Sequence, residues 1–249
     1  MNKDLFGPKI DVWLIGLAPL LLAVVLAVVP VSLDPTWALL LVGLFSFPHF
    51  VGSYFIFYRM NGPWRRHRMI AFALPSVLIA GLSIATQIPS LLQLMAQATL
   101  ILLYWHYAKQ VFGVSLWLGR RDHTPISPRF RDLLLMTCLL LGTVGIFHAH
   151  SMAGAFAVFG VYLSSAEVPQ ETFQACRIMA SVSVVVLTLW TILDRSAKSP
   201  KLASLLPVLA LATWVDPSLG GPNVLAATPI FHGLQYLAFP MRVTWKELT

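Results

Sequence analysis

Runs of about 20 apolar residues dominate this chain, and a helix of that length matches the hydrocarbon core of a bilayer. Eight such runs can be placed, at roughly 12–32, 36–58, 69–89, 92–118, 133–149, 174–194, 202–217 and 223–241. In lipid every backbone polar group must be satisfied within the structure, which leaves helices or a closed barrel, and runs this long are helical. The expected fold is all-α, a polytopic membrane helix bundle of about eight transmembrane helices, with 1–249 forming a single transmembrane domain. Composition agrees, since 57% of the 249 residues are hydrophobic and 11% are charged, a balance foreign to soluble domains.

The formal charge of +7 would suggest nucleic acid if it were spread over a soluble surface. Here the basic residues flank the apolar runs, so no nucleic-acid partner is expected. An even number of spans puts both termini on one side, and basic loops mark the cytoplasmic side. Placing both termini in the cytoplasm puts 15 of the 17 Lys and Arg residues there, leaving Arg177 outside and Lys109 within a span. Few alternative topologies segregate charge so cleanly. The first apolar run lacks a small-residue cleavage site and is expected to be a retained helix. The expected location is a bacterial inner membrane.

The outer segment 150–173 breaks the pattern. Its apolar stretch, Ala153 to Leu163, is too short to cross alone, and a crossing there would put the Arg195–Lys201 cluster outside. An interfacial or re-entrant helix in an external loop is expected instead. Prolines inside spans (Pro19, Pro48, Pro75, Pro207 and Pro229) predict kinks. Cys138 and Cys176 are the only cysteines, and two thiols in or near spans offer neither a disulfide framework nor a thiolate metal site.

Three histidines lie near the middle of spans that run in the same direction. They occur as FSFPHFVGSYFIFY around His49, LLYWHYAKQVFGV around His106 and ATPIFHGLQYLAF around His232. An imidazole in hydrocarbon is costly without a partner, so three at one depth predict a shared site. Polar groups follow about one turn further in, among them Tyr54, Lys109, Gln110, Gln235 and Tyr236. Residues three and four apart share a helix face, which puts Lys109 and Gln110 beside His106, and Gln235 and Tyr236 beside His232. Tyr54, Lys109 and Tyr236 are the candidate catalytic groups, and Gln110 and Gln235 the candidates for orienting a bound cofactor.

Neutral imidazole binds iron, copper and zinc. The acidic residues lie near the two membrane surfaces, which disfavours a carboxylate-bridged di-iron centre or a site of two histidines and one carboxylate. An all-histidine mononuclear site fits better, with His49, His106 and His232 as ligands. His148 and His150, at the outer end of the fifth span, are candidates for a fourth, or form an interfacial pair without metal. His67 and His123, in basic loops, are expected to be solvated.

These motifs resemble those of the Brp/Blh-type membrane β-carotene dioxygenases. Pro48–Phe50 is similar to an early Pro-His motif, Tyr104–Tyr107 to a second histidine motif two helices later, and Phe231–Tyr236 to a late one. Where the family has two histidines four apart, this chain has His232 and Tyr236. The resemblance implies a multi-helix membrane enzyme with non-haem iron held only by histidines, acting on a carotenoid or another lipid-like substrate. Two other readings stay open: a haem-b electron carrier using two of the histidines as axial ligands, and a non-catalytic transporter or subunit of a membrane complex or oligomer.

Overall fold

Prolines mark the starts of helices in this chain. Pro89 and Pro128 open the helices Pro89–Gly119 and Pro128–Ser151, Pro169 precedes Gln170–Leu193, and Pro207 sits in the first turn of Leu206–Val215. First-turn N–H groups have no intrahelical acceptor, so proline loses nothing there, and its fixed φ suits the helix. Pro207 therefore begins a helix and does not kink one, contrary to expectation.

The computed structural model of the protein describes residues 7–28, 44, 48, 49, 51, 52, 54, 58, 67–119, 126–151, 157, 158, 161, 162, 168–194, 202–219 and 227–236. Most of the expected span 36–58, the Arg195–Lys201 cluster, His123 and both chain ends lie outside these residues. Helix α1 (residues 8–28) is α-helical over Pro8–Asp11 and Ala18–Val28, and widens to a π-helix over Val12–Leu17. The described residues between 44 and 58 are also helical. Then come α2 (Arg68–Ala85), α3 (Pro89–Gly119), α4 (Pro128–Ser151), α5 (Gln170–Leu193) and α6 (Leu206–Val215), the last entered through a 3-10 turn at Leu202–Leu205. Residues 227–236 form α7.

Among the described residues the bundle is helical apart from one short ladder, in which Ala157–Val158 pairs antiparallel with Val161–Tyr162. These four residues fall in the segment where an interfacial or re-entrant helix was expected, and they are extended. The β-branched Val158 and Val161 favour that geometry. The second of these strands lies against α3.

Among the described residues three helices are long and apolar enough to cross a membrane: Lys9–Val28, Pro128–Ser151 and Gln170–Leu193. At 31 residues α3 is longer than any of them, but Gln93, Gln97, His106, Lys109 and Gln110 make it less apolar. Val24, Val25 and Val28 of α1, Val77, Leu78 and Leu82 of α2, and Val182, Val185 and Leu189 of α5 are all exposed. Apolar surface on that scale is a liability in water and is compatible with an integral membrane protein.

Small residues set how α3 and α4 meet. A Cβ at Gly145 would come within 2.5 Å of the Tyr104 ring, and one at Gly142 within 3.1 Å of the Tyr104 carbonyl. Glycine at both positions lets the α4 backbone press directly onto α3. Tyr104, Tyr107, Ala108 and Val111 are consequently buried. Two residues advance a helix by about 200°, so fixing Tyr104 against α4 turns His106 away from that interface. The packing of α3 thus aims its histidine.

Candidate metal centre

Three helical segments from distant parts of the chain each deliver one imidazole: His49, His106 from α3 and His232 from α7. Ring centroids are 4.9 Å apart for His49 and His232, 4.9 Å for His106 and His232, and 6.2 Å for His49 and His106. One nitrogen from each ring lies within 4.8 Å of the others. Bonds of about 2.0–2.1 Å to a single ion hold its nitrogens to about 4 Å or less from one another. Closing that gap needs ring movements of under about 1 Å. The three histidines are thus close enough to hold a metal ion.

Burial is uneven, with His49 and His232 buried and His106 exposed. Among the described residues His232 Nδ1 is buried with no hydrogen-bond partner. An orphaned buried polar atom costs about 1–3 kcal/mol, and coordination, or a donor bond set up by it, would relieve that cost. Three uncharged nitrogen ligands on separate helices, one of them dry and unpaired, fit a transition-metal ion.

The surrounding contacts hold the rings in place. Tyr107 lies 4.5 Å from the His232 ring, centroid to centroid, and Tyr236 meets His49 edge-on at 4.3 Å and 86°. Gln110 Nε2 donates to the His232 carbonyl at 3.2 Å, and Gln235 Nε2 donates to the Ile15 carbonyl of α1 at 3.1 Å. A carbonyl can only accept, so both amides must turn their NH2 groups toward it. Their Oε1 atoms are left buried and without a hydrogen-bond partner among the described residues. Gln110 is thereby tied to the backbone of His232, and Gln235 ties α7 to α1.

Four expected site residues are placed elsewhere. Tyr54 is 63% exposed and packs on Tyr58 with ring centroids 4.4 Å apart. Five residues separate it from His49, about 140° around a helix, so it leaves the histidine face. Lys109 is exposed and its Nζ lies 5.7 Å above the centre of the Phe112 ring. A flexible ammonium keeps more of its solvation on an open aromatic face than among imidazoles. His148 Nδ1 donates to the Val215 carbonyl at 3.0 Å, and His150 Nδ1 to Ile146 in its own helix at 2.8 Å. Neither belongs to the group of three. They sit in the last turn of α4, beside an ion pair in which Arg177 donates to Asp216 at 2.9 Å.

Tyr107 is a neighbour of the cluster that histidine spacing does not single out, and its place beside His106 in YWHY is its signal in the sequence. Compared with protein-family models, with curated proteins and with solved structures, the chain matches none.

Proposed function

We propose that this protein is an integral membrane, metal-dependent oxidoreductase of the oxygenase kind, acting on a hydrophobic or lipid-like substrate at an intramembrane histidine site. The observation that carries the proposal is the convergence of His49, His106 and His232 from separate helices to nitrogen spacings of at most 4.8 Å. An apolar bundle gains nothing structural from three adjacent imidazoles, because each costs desolvation. A shared ion repays all three.

In this reading His49, His106 and His232 hold non-haem iron, which when bound supplies dioxygen chemistry. Three protein ligands leave coordination positions free, as catalytic sites require. Tyr107 and Tyr236 wall the centre, and Gln110 fixes the backbone that carries His232. The exposed side of the cluster at His106 gives an apolar molecule dissolved in the bilayer a route to the centre. The resemblance to the Brp/Blh-type dioxygenases points to the same chemistry, with a carotenoid or similar chain as substrate. The reading includes eight spans with both termini in the cytoplasm of a bacterial inner membrane.

Metal analysis and an optical spectrum of the purified protein test it. About one iron per chain without a Soret band is the expected result. A Soret band would establish a haem carrier, copper or zinc would change the metal, and no metal at all would leave a non-catalytic bundle. Reporters fused to each end should both read cytoplasmic, and an external C-terminus would overturn the eight-span arrangement.

A further inference from the structure

Helix α1 carries no histidine, yet it is tied to the candidate centre by an unusual bond. The helix is widened to a π-helix over Val12–Leu17, a feature that recurs at functional sites, and returns to α-helix at Ala18, one residue before Pro19, which has no N–H to give. Ile15 lies inside the widened stretch, and the side chain of Gln235 donates to its carbonyl at 3.1 Å, with both residues fully buried. Gln235 lies three residues after His232, on the same face of α7. One backbone carbonyl of the π-helical turn therefore fastens α1 to the helix that presents His232.

We propose that Gln235 is a positioning residue for the metal centre, and that α1, through the Ile15 carbonyl, sets the placement of His232. The proposal rests on the metal-binding reading above and goes beyond it by giving the first helix a part in the site. Gly16 supports the same conclusion. A Cβ there would meet Leu206 Cβ and Cδ1 at 3.0 Å, so α1 is seated on the start of α6 at close range and its position is set independently of α7.

The test uses the full chain in detergent or nanodiscs, with Co(II) as the probe, its visible absorption reporting affinity and ligand geometry. Gln235→Met removes the donor at nearly constant volume. It should weaken Co(II) binding about 10–100-fold, the usual cost of losing a group that orients a ligand, and change the spectrum. Wild-type Co(II) affinity and spectrum in Gln235→Met, alongside a lowered thermal midpoint, would overturn the proposal by showing that Gln235 only satisfies a carbonyl.

Should Gln235→Met fail to fold, Gly16→Ala shifts α1 without touching any residue of the centre. It should weaken Co(II) several-fold, and unchanged binding would sink the role of α1. A wild-type chain that does not bind Co(II) would remove the metal reading and this proposal together. Binding by the wild type with indifference in the variants removes this proposal alone.

Discussion

Two buried polar clusters sit in this apolar bundle, and they are finished differently. Where the end of α4, the start of α5 and the end of α6 meet, Asp216 accepts from Arg177 at 2.9 and 3.4 Å and from the Ser218 backbone and hydroxyl at 2.8 and 2.6 Å. His148 is bonded to Val215 beside it, and Arg177 also donates to Gln174. Around His49, His106 and His232, by contrast, His232 Nδ1, Gln110 Oε1 and Gln235 Oε1 are buried with no hydrogen-bond partner among the described residues. A satisfied network rigidifies and specifies a fold, whereas an unsatisfied one is high in energy until something completes it. The first cluster is a structural tie between three helices. The second brings together three imidazoles close enough to hold a metal ion.

Removing a histidine from the open cluster should have the largest effect. His49→Ala, His106→Ala and His232→Ala are each expected to abolish metal binding and activity in a protein that still folds, since two remaining imidazoles cannot close a three-ligand site. His148→Ala should leave the metal content intact and lower the thermal midpoint. Inductively coupled plasma analysis with a melting curve on each variant separates the clusters. Metal lost on His148→Ala would merge them.

Breaking the closed cluster comes next. Asp216→Ala strands Arg177, whose side chain is only 20% exposed, and removing one partner of a buried pair costs about 3 kcal/mol or more. Unfolding should occur at markedly lower denaturant or temperature while the folded fraction keeps its metal. Equal loss of stability and of metal per folded molecule would show that this tie also shapes the centre.

Gln110→Ala is expected to be smaller. It removes the donor to the His232 carbonyl, and such supporting groups typically carry about 10–100-fold in metal affinity. A Co(II) titration measures it directly. An unchanged affinity would mean that α7 is held by Gln235 and by packing alone.

The three histidines were readable in the sequence because burial penalties make intramembrane imidazoles rare and their depths could be matched span by span. Helix existence was readable for a similar reason, the length and apolarity of α1, α4 and α5. What could not be read was rotation. Which face of α3 meets α4 depends on Gly142 and Gly145 opposite Tyr104, a contact between positions about 40 residues apart in the chain. Nor does spacing say where a flexible side chain ends up, and Lys109 shares a face with His106 but turns to Phe112. His148 and His150 had the right chemistry for ligands, yet nearby backbone carbonyls hold their Nδ1 atoms. The bond from Gln235 to Ile15 joins residues 220 positions apart, a pairing that no local spacing encodes.

The smallest effect is expected where the sequence suggested catalysis and the structure places nothing of the centre. Tyr54→Phe removes a hydroxyl from a ring that is 63% exposed and packed on Tyr58. Lys109→Met removes a charge that rests over Phe112, an exposed contact worth about 0.5–1 kcal/mol. Both variants should keep metal affinity within about two-fold of wild type, because two-fold corresponds to only about 0.4 kcal/mol and, among the described residues, the contacts of the two groups are to Tyr58 and Phe112 and no hydrogen bond joins either to an imidazole. Turnover separates the possibilities further. A residue outside the centre that meets substrate would raise KM and spare the metal, whereas one that acts on the reacting atoms would lower kcat. A ten-fold fall in kcat for Tyr54→Phe at full metal content would bring its hydroxyl to the reaction. The division between a centre confined to three helices and an inert surface around it would then have to be redrawn.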